Sequence, residues 1–301
     1  MTATTAMTAK TAAAPTMRRD LNLGTTWLLP EWSTGPRGDE QQVLEAAAEA
    51  GYQGIQGADP DRCRALGLVP TTFDILPEPG GLAEKARRWV DQGFACATLM
   101  VGTGLEADDQ AARSVEEVLE ASDAAHLPLY IETHRATVTQ DIWRTLQLVE
   151  RLPEIRFNGD FSHWYTGHDL PIGDFDAKVH QLGPVLERVR YLHGRIGTSG
   201  TIQIDVGDGT PDDEPPVAHF RALWTRAFAG FLAHAPADPV PPGDAAIGFA
   251  PELLPAAFGY ALEVPGPGGA LRELGDRWEQ GLVLTRIASE CFAEAGGTSS
   301  C

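Results

Sequence analysis

The chain has 301 residues, 43% hydrophobic and 22% charged, the balance of a globular protein with a full core. Its 42 acidic against 23 basic residues leave a net charge of −19, and lysine occurs only at Lys10, Lys85 and Lys178, so nucleic acid and anionic lipid are not expected partners. No apolar stretch reaches the ~20 residues a membrane helix needs, and Cys63, Cys96, Cys291 and Cys301 form neither a C-x-x-C pair nor a zinc-finger spacing, the pattern of incidental thiols in a reducing, cytoplasmic setting.

Residues 1–17, Ala/Thr-rich without the continuous apolar segment of a secretory signal, are expected to form a disordered tail ahead of one domain at 18–301. Strands and amphipathic helices then alternate. A strand at 21–29 precedes a helix at 39–50, and a strand at 52–56 precedes a short helix at 59–66. The third strand is 68–74, followed by a helix at 81–92 with Leu82, Ala86, Trp89 and Val90 on one face. The almost wholly apolar run 95–101 reads as a strand buried on both sides, with a helix at 108–125 after it. A strand at 127–134 leads to a helix at 139–151, opened by the cap-like Thr139-x-Asp141 and closed before Pro153. The sixth pair is 155–161 and 176–187; the seventh strand, 189–196, is followed by a Gly/Asp/Pro-rich loop at 197–216 and a helix at 217–234. The eighth strand is 246–252 and the last helix 271–294. A closed (β/α)₈ barrel, a TIM barrel, is the simplest arrangement of eight such units; a doubly wound open sheet is the rival that strand counting leaves standing.

Four successive strands finish on metal-competent groups: Glu132 with His134, Asp160 with His163, His193 with Arg195, and Glu252. In a barrel those ends surround one mouth. Three converging carboxylates repel one another and need a positive charge; with no lysine nearby, one divalent cation held by Glu132, Asp160, His193 and Glu252 is the economical answer, a structural hydrogen-bond cluster the alternative. Three oxygen donors and one imidazole suit Mn²⁺ first, with Mg²⁺, Co²⁺ or Zn²⁺ also acceptable.

These motifs, Glu132-Thr-His134, Asp160-Phe-Ser-His163, His193-Gly-Arg195 and Glu252, resemble the xylose isomerase-like TIM barrels, and the stretch 192–197 with Gln203 and the segment 219–224 is similar to the sugar phosphate isomerase/epimerase subgroup. The resemblance implies the metal quartet just named and a substrate contact at His163. It also implies roles for Glu132 and Glu252 in proton transfer. The trinuclear zinc pattern of the endonuclease IV branch is missing: the third strand ends in Asp74, the fourth in Val101-Gly102, and Asp205 is followed by Val206-Gly207.

The expected function is a metal-dependent sugar isomerase or epimerase that abstracts a proton next to a carbonyl through a metal-stabilised enediolate. A metal-dependent lyase acting on a keto sugar or inosose, as a dehydratase or C-glycoside-cleaving enzyme, would use the same quartet; a non-catalytic metal-binding barrel is the third reading. Arg195 and His163 are expected to hold substrate oxygens, His134 to support Glu132 or act as a base. Trp27 and Trp164 either wall the sugar ring or pack the core, and Trp143 packs its helix. With few basic groups near the mouth beyond Arg195 and Arg135, a small neutral carbohydrate is favoured over a phosphorylated one. The acidic loop 205–214 is expected to cover the mouth, and the glycines at 266–269 do not make a phosphate-binding turn. Oligomeric state, including a homo-oligomer, is left open.

Overall fold

A computed structural model describes residues 14–210, 215–234 and 246–297. Eight parallel strands close into a barrel in sequential order: β1 (Thr16–Asn22), β2 (Gly54–Gln56), β3 (Val69–Leu76), β4 (Ala97–Val101), β5 (Leu129–Glu132), β6 (Phe157–Gly159), β7 (Val189–Gly194) and β8 (Ala246–Pro251). The seam pairs Thr16 with Ala246 and Arg19 with Phe249, which rules out the open sheet. Thr16 and Met17 therefore belong to the barrel rather than to a tail; of the expected tail, residues 1–13 lie outside the described residues. The first strand was placed too late because the apolar stretch after Asn22 continues as a 3₁₀ turn, Leu23–Thr26, instead of extended chain.

The helices are α1 (Glu40–Glu49), α2 (Pro60–Ala65), α3 (Leu82–Gln92), α4 (Asp108–Ala125), α5 (Ile142–Arg151), α6 (Ser162–Gly167), α7 (Phe175–Gln181), α8 (Gly183–Leu186), α9 (Pro215–His234) and α10 (Arg277–Glu294). Aspartate is the recurring start signal: Asp39, Asp59, Asp141, Asp174 and Asp276 each accept backbone N–H groups that the first helical turn leaves free. In α4, Ala111, Val115 and Val118 face the barrel, the spacing that a 3.6-residue period requires.

Side chains fill the barrel. The Gly248 position stays empty because Tyr191 occupies it: a Cβ there would lie 2.3 Å from the Tyr191 ring. The Tyr191 hydroxyl donates to Asp20 at 2.9 Å, and Arg18 grips the same carboxylate through two 2.6 Å bonds.

Two departures bear on the mouth. Residues 271–276, expected to begin the last helix, precede it: 271–273 form the second arm of a hairpin, β9 (Glu263–Pro265) with β10 (Leu271–Glu273), whose tip carries the glycines at 266–269. The six-residue α6 directly follows β6, so His163 and Trp164 sit on a helix. Trp143 does not pack: it is 63% exposed.

Candidate metal centre

The strand ends deliver their side chains to one point. Glu132 is the last residue of β5, Asp160 follows β6, His193 lies near the end of β7 and Glu252 follows β8, its N–H bonded to Gly194 O at 3.1 Å. One ligand atom from each of the four lies within 4.8 Å of the others. The cluster is almost sealed; Glu252, with 15% of its side chain exposed, is the member that meets the mouth.

The His193 ring is oriented by groups from the first strands. Its Nε2 lies 2.7 Å from Gln56 Oε1, an oxygen that also accepts from Asn22 Nδ2 at 2.9 Å. Because that oxygen only accepts, Nε2 carries the hydrogen and Nδ1 turns its remaining position toward Glu132 Oε1 at 3.2 Å and Glu252 Oε2 at 3.5 Å. Gln56 in turn donates to Thr98 Oγ at 3.1 Å, and Asn22 donates to Glu252 Oε1 at 3.0 Å. Asn22, Gln56 and Thr98 were not singled out in the sequence, although Asn22 and Gln56 end their strands just as Glu132 ends β5.

Arg195 is fully buried, and its place corrects the expectation that a metal alone offsets the carboxylates. Its Nη2 donates to Asp160 Oδ2 and, at 3.0 Å, to Glu252 Oε2, while Nε donates to Ser162 Oγ at 3.0 Å. It is thus a cation inside the carboxylate cluster, where the sequence argument had assigned all charge compensation to a metal. Through Nε and Nη2 it orients two of the four candidate ligands, and only its buried Nη1 is left without a hydrogen-bond partner. Tyr260, from the segment after β8, lies over its guanidinium at 4.6 Å and over that of Arg135 at 5.0 Å. Nothing in the sequence marks Tyr260, because its position depends on the path into the hairpin.

The charges shift one another. Burial works against the Asp160 carboxylate, yet Arg195, His163, His193 and the Ser162 hydroxyl together hold its carboxyl well below the usual range. Burial, with repulsion from Glu132 and Asp160, raises the Glu252 carboxyl despite His193 and Arg195. Burial opposes charge on His193, but Glu252, Glu132 and Asp160 outweigh it and push the imidazole up to about 9. His163 goes the other way: burial, together with His134, Arg195 and Arg135, keeps its ring neutral.

The donors nonetheless fit a divalent cation. Three carboxylates converge with an imidazole whose tautomer is fixed from behind, and a metal at Nδ1 would take the place of the proton that the carboxylates now favour there.

The rings of His163 and His134 meet at a tilt of 51° with centroids 3.9 Å apart, and with Glu132 they form a second group whose ligand atoms lie within 4.8 Å of one another. Trp27, 39% exposed, meets Phe258 edge-on at 6.1 Å beside the mouth. Trp164 is in the core, fully buried, with Nε1 donating to Thr139 O at 2.8 Å, so it does not wall a substrate. Gln203 clips the segment after β8, accepting from Leu254 N at 2.9 Å and donating to Leu254 O at 3.1 Å. In the 205–214 loop, residues 211–214 lie outside the described residues; the remainder is tied to α10, Val206 N donating to Gln280 Oε1 at 2.8 Å and Arg286 to Asp208 O, so its described part is no mobile cover.

No protein-family model and no curated protein sequence matches the chain. Solved structures do. A xylose isomerase-like TIM barrel protein from Mycobacterium smegmatis in complex with magnesium is 12% identical, over 94% of this chain and 98% of that one, with a TM-score of 0.53. A sugar phosphate isomerase/epimerase from Parabacteroides distasonis is 13% identical, over 98% and 99%, with a TM-score of 0.50. A second protein of that description from the same organism is 9% identical, over 89% and 96%, with a TM-score of 0.51. The chain shares the fold of these xylose isomerase-like barrels, and at such identities the likeness speaks for the fold alone.

Proposed function

We propose that this barrel is a divalent-metal-dependent enzyme that moves a proton next to the carbonyl of a small sugar or keto sugar, as an isomerase or epimerase. The observation that carries the reading is the convergence of Glu132, Asp160, His193 and Glu252 within 4.8 Å, with the His193 tautomer set by Gln56. Mn²⁺ is the first choice of ion for three carboxylates and one imidazole, and a neighbour of the same fold holds magnesium. When bound, such an ion polarises a substrate carbonyl and steadies the negative charge that develops on its oxygen.

The chain's own groups supply the rest. Glu252 is the carboxylate with open surface, so a C–H bond presented at the mouth meets it first. Asn22 and Arg195 hold its two oxygens, which fixes the direction from which it takes a proton. Glu132 stands at the far side of the cluster, with β6 and β7 between it and Glu252. Removal by one carboxylate and return by the other inverts a carbon; return to the neighbouring carbon interconverts aldose and ketose. Trp27 and Phe258 offer an apolar edge for the CH face of a sugar ring, and Tyr260 lies across the approach. We assign to His134, half-buried beside His163, the support of Glu132.

The test is solvent deuterium exchange. Protein stripped with EDTA and reloaded with Mn²⁺ is incubated in D₂O with a panel of ketoses and 3-keto-glycosides, and the carbon alpha to the carbonyl is followed by NMR. We expect exchange with the loaded protein and none with the stripped one. The Glu252→Gln variant should lose about 10²–10⁴-fold in rate. Exchange at full rate in that variant removes Glu252 from the mechanism; no exchange with any carbonyl substrate removes the reading.

A further inference from the structure

We infer that Glu132, His134 and His163 form a second cation site, sharing Glu132 with the quartet, so that the loaded centre holds two ions. The inference rests on the metal reading of the quartet only through that shared carboxylate. One ligand atom from each of the three lies within 4.8 Å of the other two.

The hydrogen-bond pattern settles which nitrogens are free. His134 Nδ1 faces the carbonyl of Arg135, which can only accept, so Nδ1 carries the hydrogen and Nε2 offers its lone pair. His163 Nε2 lies 3.5 Å from Asp160 Oδ2 and 3.3 Å from Arg195 Nη2. The two hydrogens of Nη2 already go to Asp160 and Glu252, so the contact with Nε2 is no hydrogen bond. Nε2 therefore carries the hydrogen, directed at Asp160, and Nδ1 keeps its lone pair. That nitrogen is buried and has no hydrogen-bond partner. A fully buried imidazole nitrogen without a partner is rare in folded proteins, and a bound ion is one of the recognised reasons for it. His134 is thus held from behind by a carbonyl, and His163 has a carboxylate oxygen 3.5 Å from its Nε2, while the opposite nitrogen of each ring is left for a cation, as in metal-bound histidines.

Two imidazoles and one carboxylate are a softer donor set than the quartet. They match the three-ligand set of open zinc sites, and Mg²⁺, which prefers oxygen, has little reason to enter. The guanidinium of Arg195 stands next to His163 and a first ion would share Glu132, so the second ion binds more weakly and fills second.

The experiment is metal stoichiometry. EDTA-dialysed full-length protein is titrated with Zn²⁺ and separately with Mg²⁺, bound metal being measured by equilibrium dialysis and atomic absorption. The wild type should take up two Zn²⁺ per chain and one Mg²⁺; His134→Ala and His193→Ala should each take up one Zn²⁺. One Zn²⁺ in the wild type, unchanged by His134→Ala, overturns the second site and leaves the quartet standing. Two Zn²⁺ retained in His134→Ala overturns it as well, since the second ion then lies elsewhere. No Zn²⁺ in the wild type overturns both readings. A Co²⁺ titration of the unaltered protein gives an independent readout: two successive phases in visible absorption support the pair of sites, and a single phase ending at one equivalent contradicts it.

Discussion

Arg195 and Gln56 decide how the four candidate ligands are presented. Arg195 bridges Asp160 and Glu252 from within the cluster, so removing it leaves the charge of three carboxylates to the His193 imidazole. Breaking a buried pair on one side costs about 3–5 kcal/mol. Arg195→Met should lower the thermal stability of metal-free protein accordingly, with saturating Mn²⁺ restoring part of it; equal losses with and without Mn²⁺ would contradict the role of counter-ion to metal ligands. Arg195→Lys should rescue little, because an ammonium cannot reach Asp160, Glu252 and Ser162 together in the planar geometry of the fork. Gln56→Leu removes the acceptor behind His193 and should weaken Mn²⁺ binding about 10–100-fold with circular dichroism unchanged; unaltered affinity by calorimetry would show that the tautomer does not depend on Gln56. The four acids and bases were legible in the sequence because alternating strands and helices place all strand ends on one face. Asn22 and Gln56 were equally legible by that rule, but an uncharged amide draws no attention until its neighbour is seen. Arg195 was noticed as a substrate group, but its place among the carboxylates was not legible, since a sequence does not show that an arginine points inward.

At the scale of elements, the mouth is built by connections as much as by strands. Arg277, at the start of α10, is buried, pairs with Glu273 of β10 at 2.8 Å, and donates to the carbonyls of Thr25 and Trp27 at 2.6 and 2.7 Å. One side chain thus ties the hairpin to the segment after β1 that carries Trp27. Arg277→Met should cost about 3–5 kcal/mol by denaturant unfolding, and protease should cut near residues 25–28 first; cleavage elsewhere would mean that the segment is held by other contacts. Helix α9 crosses the end of α8 so closely that a Cβ on Gly230 would lie 2.6 Å from Glu187 Cα. Gly230→Ala should therefore destabilise by about 1–3 kcal/mol in spite of alanine's better helix propensity, and a stabilised variant would show that the two helices have room to part. Long elements were the readable ones: α4 runs over the expected residues because its apolar period is sustained for five turns. Short ones were not. Strand β6 has three residues, and the apolar side chains after it, such as Phe161, are buried in a turn, so hydrophobicity overran the strand and hid α6. The hairpin went unread, its second arm absorbed into the last helix, because its arms are too short to show an alternation.

Over the whole molecule, closure is what converts a list of residues into a site. Strands β5 to β8 are adjacent in the barrel, and the β1–β8 seam brings Asn22 to Glu252 across 230 positions of sequence. The fold itself was legible from the alternation of elements; the near-sealing of the centre by Arg195 and Tyr260 was not, since it depends on side chains meeting over the mouth. The most direct test of the account is a crystal of the protein soaked in Mn²⁺ and examined by anomalous scattering. The account predicts a peak about 2.0–2.2 Å from Glu132, Asp160, Glu252 and the Nδ1 of His193. A fully occupied soak with no peak among those four side chains would contradict it.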